Sequence, residues 1–279
     1  MAKGQDWILT ADADTHCNSR LGLVPPEGAK LGDGEGKYIP SATGLWLWSC
    51  WENHWSEVAY LRRHLKAKLG CLFNGDLRDG PMHHGNVQQI AGDNETEAYC
   101  SERVFSVPRA LRPTKIWVTI GTEAHTGPGG SGDTAVARHL HADRDPDTDS
   151  WASFWVRGSI NGLTWDARHH GRGGGRPWTV GGIANLAAEI ALEHMNAKEE
   201  CPRLAIRSHK HRHADSGSLV KACRVISTAA WTLKSSFGNK VAAESLADIG
   251  GHVIVIHPDS TFEVIDHLYK PTLPKVRMA

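Results

Sequence analysis

Short apolar runs, each about the length of a buried strand, recur along the sequence and are separated by polar segments. Their β-branched and aromatic residues are typical of strands. Strands are therefore predicted at residues 7–11, 71–74, 115–120, 203–207, 252–256 and 262–265. The last two runs flank Pro258 and Asp259, a turn signal, and predict a closing hairpin.

Two amphipathic segments predict helices, at about residues 45–68 and 183–198. In the first, apolar residues recur at helical spacing: Leu47, Trp51, Val58, Leu61 and Leu65. The same segment holds four tryptophans: Trp46, Trp48, Trp51 and Trp55. These rings form either an aromatic binding face or part of the core, and packing against a sheet is the favoured interpretation. Gly70 is the predicted C-terminal cap of this helix.

The alternation of apolar runs with amphipathic stretches favours an α/β or α+β layered fold. No repeat or linker divides the 279 residues, so a single domain is predicted over residues 1–279. Segments 28–44, 80–112 and 126–160 carry no readable chemistry. They are predicted to be loops and insertions.

Charge and composition narrow the function. Basic and acidic residues both number 31, so the formal net charge is zero and there is no global basic field for nucleic acid. Histidine occurs 17 times, and imidazole is the commonest metal ligand. The six cysteines form no C-x-x-C pair, which predicts reduced thiols. Without a membrane-length apolar stretch or a signal-peptide pattern, a soluble cytoplasmic protein is predicted.

Polar clusters follow four of the predicted strands directly. They occupy residues 12–16, 75–79, 121–125 and 208–211, and each contains carboxylates or imidazoles. In open α/β sheets, binding sites assemble at the carboxyl ends of the strands. Four such coincidences in one chain predict that these clusters meet in one site.

The spacing within the clusters suits metal binding. Asp14 and His16 are two residues apart, so in an extended segment they point the same way and grip one ion together. His209 and His211 repeat this spacing, and Asp76 supplies a carboxylate that bridges two ions. Asp and His ligands without Cys suit first-row divalent metals. Two ions about 3.5–4 Å apart clamp a phosphoryl group and activate water.

These clusters resemble the signatures of a known family. Asp14-Thr15-His16, Gly75-Asp76-Leu77-Arg78-Asp79 and Ser208-His209-Lys210-His211 are similar to the D-x-H, G-D-x-x-D and G-H-x-H motifs of calcineurin-like metallophosphoesterases. The motifs keep the family's order over about residues 7–213, and the flanking pattern resembles phage-encoded members. The resemblance implies a four-layered αββα sandwich with two metal ions at one sheet edge.

The resemblance also implies a ligand set. It places Asp14, His16 and His211 on one ion, and His209 with an upstream histidine on the other. Asp76 bridges the two ions. The upstream histidine is either His169 or His170. The implied cofactors are two divalent ions, with manganese, iron, nickel and zinc left open.

The third family motif departs from its usual form. Residues 121–125 (GTEAH) stand where the family has G-N-H-D/E, so Thr122 occupies the position of a metal-binding asparagine. Either Glu123 or His125 takes over this role, or the second metal site is weaker. His125 is the favoured candidate, as a metal ligand or as the general acid that protonates the leaving group.

Three further residues are predicted to bind substrate. His84 follows the second motif and either orients the leaving group or lies in a surface loop. Arg172 and Arg176 lie in a glycine-rich segment that either binds phosphate or forms a lid without substrate contact. Asp215 is a candidate for orienting a ligand histidine.

The favoured function is a metal-dependent hydrolysis of a phosphomonoester or phosphodiester, in which a metal-activated hydroxide attacks phosphorus. Its expected substrates are phosphorylated small molecules, nucleotides or nucleic acid. One alternative is a nuclease that holds a strand through Arg207, Lys210, Arg212 and exposed tryptophans. The other is a non-catalytic, metal-stabilised scaffold that binds a phosphorylated partner, which the departure at Thr122 motivates.

Overall fold

The computed structural model of the chain describes residues 4–32, 34, 36–80, 88–171, 181–235 and 246–271. Within these ranges the strands are β1 (Trp7–Asp12), β2 (Ala29–Lys30), β3 (Lys37–Tyr38), β4 (Lys68–Asn74), β5 (Lys115–Thr119), β6 (Val156–Ile160), β7 (Leu163–Ala167), β8 (Leu204–Arg207), β9 (Ala214–Asp215), β10 (Arg224–Ser227), β11 (Ile249–Ile256) and β12 (Phe262–Tyr269). The helices are α1 (Ala42–Leu65), α2 (Asn94–Ala110), α3 (Glu123–Thr126), α4 (Ser131–Leu140) and α5 (Gly182–Ala197).

Ten of these strands form two five-stranded sheets. The first has the order β12-β11-β1-β4-β5, in which β1, β4 and β5 run parallel. The second has the order β6-β7-β8-β10-β9, in which β7, β8 and β10 run parallel. Parallel strands bring their carboxyl ends to one edge of a sheet. The loops after β1, β4 and β5 therefore leave the first sheet side by side.

The two sheets face each other across an apolar core. Leu9, Leu72 and Ile254 of the first sheet pack against Trp165 and Ile206 of the second. A larger cluster packs α1, α2 and α4 on the outer face of the first sheet. Helix α5 covers the outer face of the second sheet. These four layers confirm the predicted αββα sandwich, in which each sheet buries both faces and each helix buries one.

Helix α1 begins at a well-formed cap. The Ser41 hydroxyl accepts a hydrogen bond from the Gly44 N–H at 3.2 Å, which satisfies one of the free amides at the helix start. Trp51 and Trp55 are fully or almost fully buried, so core packing of the tryptophans is confirmed. The predicted cap at Gly70 is wrong. Lys66 ends the helix in a left-handed conformation, and Gly70 lies within β4, where the Trp117 ring fills the space of a side chain.

All six predicted strands are present, with ends shifted by a few residues. The segments predicted to be loops hold more structure than expected. Helix α2 lies within residues 80–112 and helix α4 within residues 126–160, and β2 pairs with β3 within residues 28–44. The buried face of α2 includes the polar residues Thr96 and Glu97, which conceal its apolar periodicity.

The cysteine prediction is confirmed, since all six cysteines are free thiols. Five of them are buried, and only Cys201 is partly exposed. Among the described residues, no helix combines the length and the apolar character that crossing a membrane requires.

Candidate metal centre

The loops that follow five parallel strands meet at one edge of the sandwich. They carry the predicted ligands: Asp14 and His16 after β1, Asp76 after β4, His125 after β5, His169 and His170 after β7, and His209 and His211 after β8. Several of these side chains are almost completely shielded from solvent, including Asp14, Asp76 and His169. The structure thus brings together polar side chains that lie nearly 200 residues apart in the chain.

Asp14, His16 and His211 form the first group of candidate ligands. Each offers one ligand atom, and these atoms lie within 4.8 Å of one another. Asp14 Oδ1 is 3.1 Å from His211 Nε2 and 4.0 Å from His16 Nε2. A carboxylate with two imidazoles is a donor set that suits first-row divalent metals.

His169, His170 and His209 form a second group, which meets the same distance limit. The His170 and His209 ring centroids lie 4.5 Å apart, and those of His169 and His209 lie 5.3 Å apart. His169 and His170, the two alternatives that the sequence leaves open, therefore both lie near His209. His170 is the more accessible of the two, and His169 is buried.

Asp76 lies between the two groups. Its Oδ2 atom is 3.0 Å from His169 Nε2, and with Asp14 and His169 it forms a further cluster of possible ligands. Its Oδ1 atom accepts a hydrogen bond from the Thr122 N–H at 2.6 Å. One of its oxygens also lies within 4.8 Å of ligand atoms of His16 and His125, so this carboxylate is near both groups, where a bridging ligand would lie.

The residues present fit bound cations. His16 Nε2 and His169 Nε2 are buried ring nitrogens without a well-aligned hydrogen-bond partner, and each faces a carboxylate. His169 Nδ1 donates to the Asn74 carbonyl oxygen at 2.6 Å, which fixes the tautomer and directs Nε2 into the site. Buried polar atoms normally have partners, so these nitrogens have the character of vacant ligand positions.

The carboxylates and imidazoles of the site shift one another's pKa values. Burial alone would raise the pKa of Asp76. The neighbouring imidazoles, His169 foremost, together have the opposite and larger effect, so the pKa of Asp76 lies well below its usual range. Burial lowers the pKa of His169, but Asp76 and Asp14 raise it to about 10. Burial and an adjacent imidazole lower the pKa of His16 and of His209 to about 4. Those two rings are thus neutral near pH 7, the form that binds a metal.

The backbone reaches this geometry in an unexpected way. Asp14 and His16 have φ values of 54° and 41°, and His209 and His211 have values of 71° and 51°. These four residues have a left-handed backbone conformation. The segments are therefore not extended, and an extended backbone is not the reason why side chains two residues apart point the same way. His209 and His211 belong to different ligand groups, which agrees with the ligand set that the resemblance implies and not with the shared ion that the spacing suggests. Left-handed non-glycine residues are strained and concentrate at functional sites.

The third motif contributes His125 and Thr122. His125 Nδ1 lies 2.8 Å from Asp79 Oδ1, and one of its ring nitrogens groups with ligand atoms of His16 and Asp76. The Thr122 hydroxyl is 3.2 Å from His209 Nδ1 and 3.4 Å from His170 Nε2. Glu123 instead accepts a hydrogen bond from the Gly129 N–H. Of the two expected replacements for asparagine, His125 is the one that lies at the site.

The sequence interpretation missed Asp133. This carboxylate is fully buried at the start of α4, and it accepts hydrogen bonds from the backbone N–H groups of Asp76, Leu77 and Gly121. It therefore joins the loop after β4 to the loop after β5. Burial and the charge of Asp76 raise the pKa of Asp133 to about 7. No motif marks this residue, because its partners are backbone amides on distant loops.

Other candidates lie away from the ligands or outside the described residues. Asp215 pairs with Arg224 through two hydrogen bonds of 2.9 and 2.6 Å instead of holding a ligand histidine. Arg207, part of the basic cluster in the nuclease alternative, is buried and pairs with Asp166 at 2.8 Å. The predicted substrate-binding residues His84, Arg172 and Arg176 lie outside the described residues.

Comparison with known proteins finds similarity among solved structures alone. No protein-family model and no curated protein matches the sequence. The chain is similar to an archaeal phosphodiesterase, at 8% identity and a TM-score of 0.41, over 93% of this chain and 99% of that chain. It is similar to Chaetomium thermophilum Vps29, at 8% identity and a TM-score of 0.39, over 96% and 100%. It is similar to Haemophilus influenzae NAD nucleotidase, at 11% identity and a TM-score of 0.41, over 93% and 49%.

Proposed function

We propose that the chain is a metal-dependent phosphoesterase of the calcineurin-like type, with residues 1–279 as one domain, and that it hydrolyses a phosphomonoester or a phosphodiester. One observation carries this proposal. Two groups of partly buried ligand residues lie side by side, with Asp76 between them, and they use carboxylates and imidazoles alone. Carboxylates and imidazoles are good ligands for divalent cations, whereas burying them in a protein core without partners is costly.

In this proposal each group holds one cation. Asp14, His16 and His211 hold the first. His169, His170 and His209 hold the second, and Asp76 contacts both. Two bound divalent cations supply Lewis acidity toward a phosphoryl oxygen and toward the attacking water. Manganese, iron, nickel and zinc all accept this mixture of imidazole and carboxylate ligands.

His125 is the proposed proton donor to the departing oxygen. Asp79 accepts from His125 Nδ1 at 2.8 Å, which orients the ring and directs its other nitrogen away from Asp79. The ring also packs edge-on against His16, with centroids 4.4 Å apart, so it lies beside the first ligand group. A histidine that is held in this way can pass its proton to a leaving group without a search for the right orientation.

The decisive variant is Asp76→Asn, which keeps the shape of the side chain and removes its charge. We expect metal-supported hydrolysis of p-nitrophenyl phosphate or bis-p-nitrophenyl phosphate to fall by roughly two to three orders of magnitude, because charge stabilisation at the reacting phosphorus is lost. Circular dichroism would show a retained fold. Asp147→Asn, at an exposed position, is the matched control and is expected to keep wild-type turnover. Full activity in Asp76→Asn would refute the assignment.

Metal content and substrate screening separate this proposal from its alternatives. Two bound ions per chain with turnover of a chromogenic ester support the enzyme. Bound metal without turnover of any mono- or diester favours the binding scaffold. Cleavage of single-stranded DNA or RNA, with salt-dependent binding in a gel-shift assay, favours the nuclease.

A further inference from the structure

A second cluster of histidine and carboxylate side chains lies outside the candidate metal centre, and it consists of His213, His252 and Asp266. Asp266 contacts both imidazoles, with Oδ1 2.7 Å from His252 Nδ1 and Oδ2 3.2 Å from His213 Nε2. The two rings stack with their centroids 4.7 Å apart. His252 is completely buried, whereas Asp266 is partly exposed.

The hydrogen bonds of His252 argue against a metal ion in this cluster. The Ala229 N–H donates to His252 Nε2 at 2.9 Å, so that nitrogen uses its lone pair as an acceptor. In a neutral imidazole the other nitrogen, Nδ1, then carries the proton and donates it to Asp266. A metal ion needs the lone pair of Nδ1, which is not available in this tautomer. The cluster is therefore a hydrogen-bonded network.

The network connects the two sheets. Asp266 and His252 are cross-strand partners on β12 and β11 of the first sheet. His213 lies on the loop between β8 and β9 of the second sheet, two residues after His211. Both ring nitrogens of His213 face acceptors, since Nδ1 is 3.3 Å from the Ser227 carbonyl oxygen and Nε2 faces Asp266.

The same loop is also held through its backbone. The His213 N–H donates to Asp248 Oδ2 at 2.9 Å, and the Asp248 N–H donates to the His211 carbonyl oxygen at 3.0 Å. His209 and His211 lie in the short segment between β8 and His213, and both have a left-handed backbone conformation. Non-glycine residues keep such a conformation only where the surrounding structure enforces it. Asp266 adds a contact to the His213 side chain from the opposite sheet.

We propose that Asp266 is a positioning residue, which holds the loop of His209 and His211 so that their imidazoles reach two different cation positions. The inference rests on the proposed metal-dependent function. In this network Asp266 does not bond His209 or His211 directly. It acts through His213 and through the stacked ring of His252. Residues that hydrogen-bond directly to a metal ligand typically contribute about ten- to a hundredfold to metal affinity, and Asp266, which acts through the loop, is expected at the lower end of that range.

The test compares Asp266→Asn with Asp259→Asn. The control residue belongs to the turn of the same hairpin, where its carboxylate accepts hydrogen bonds from the Thr261 N–H and hydroxyl. Hydrogen exchange of amides 208–213 is measured in the metal-free protein, and Zn²⁺ and Mn²⁺ binding by titration calorimetry. Asp266→Asn is expected to exchange at least about tenfold faster in this loop and to bind metal at least about tenfold more weakly. Asp259→Asn is expected to match the wild type, and Asp266→Glu to recover part of the loss.

Wild-type loop exchange and wild-type metal affinity in a folded Asp266→Asn variant would overturn the inference. If Asp266→Asn fails to fold, His213→Gln removes the other partner and is expected to give the same two effects; a wild-type result there overturns the inference as well. A wild-type protein that binds metal but hydrolyses no ester would overturn the proposed function and leave this inference standing. The two failures are therefore distinguishable.

Discussion

At the scale of single residues, Asp133 shows how a site depends on a side chain that is not itself a candidate ligand. Its two oxygens accept three backbone N–H groups, which belong to Asp76, Leu77 and Gly121. These amides lie 57, 56 and 12 residues away in sequence, so no local pattern connects them with Asp133. Because the acceptor is fully buried, water cannot replace it.

Replacing Asp133 with alanine removes all three hydrogen bonds and leaves three amides without an acceptor. An unsatisfied buried donor costs about 1–3 kcal/mol, so we expect the free energy of unfolding to fall by at least about 3 kcal/mol. Chemical denaturation of the metal-free protein measures the change. Asp147→Ala, on an exposed turn, is expected to change stability by less than about 0.5 kcal/mol. Equal stability of the two variants would show that Asp133 does not hold these loops.

The identity of the candidate ligands could be predicted from the sequence, but their backbone conformation could not. Carboxylates and imidazoles directly after apolar runs mark Asp14, Asp76 and His209, because strand ends of parallel sheets meet at one edge. The left-handed backbone at Asp14 and His209 has no signature in sequence, since glycine is the residue that usually indicates a positive φ. The i, i+2 spacing alone favours one shared ion for His209 and His211, whereas the family resemblance implies the division between two groups.

At the scale of elements, the turn after β4 contains a glycine that makes room for a ligand. Gly75 has a φ of 82°, and a Cβ atom there would lie 2.6 Å from His169 Nδ1. His169 cannot move aside easily, because the same nitrogen donates to the Asn74 carbonyl oxygen. Gly75 thus allows the end of β4 to pass close to the imidazole that follows β7.

We expect Gly75→Ala to weaken metal binding and to lower stability by more than its backbone conformation explains. A left-handed alanine costs about 1–2 kcal/mol, and the clash with His169 adds about 1–3 kcal/mol. Gly34→Ala is the matched control, since Gly34 has a φ of 75° and open space around the position of a Cβ. Denaturant unfolding and metal titration are measured for both variants. A Gly75→Ala protein that resembles Gly34→Ala in both measurements would contradict the close packing.

Elements with strong apolar periodicity were predictable, and elements that bury polar groups were not. Helix α1 and the six predicted strands contain apolar patterns that are recognisable in the sequence. Helix α2 buries Thr96, Glu97 and Ser101, and it contains Pro108 in its last turn, so its sequence resembles a loop. Glu97 can be buried because it pairs with Arg78, a partner that only the tertiary structure supplies.

At the scale of the whole molecule, the candidate metal centre lies where the two sheets meet. Asp14 and Asp76 come from the first sheet, whereas His169, His209 and His211 come from the second. A cation that binds these side chains together therefore cross-links the two halves of the sandwich. Since the ligands converge in the folded chain alone, a metal ion binds the native state far more tightly than the unfolded state.

This arrangement predicts that metal stabilises the fold as a whole. At a free concentration one hundredfold above its dissociation constant, a cation adds about 2.7 kcal/mol to the free energy of unfolding. For a chain of this size the gain corresponds to roughly 5 °C in Tm, measurable by calorimetry with Zn²⁺ or Mn²⁺ and reversible with a chelator. His211→Ala should lose much of the gain, whereas His64→Ala, on the exposed end of α1, should keep it. A Tm of the wild type that does not respond to metal, or an equal response in both variants, would contradict a cation held between the sheets.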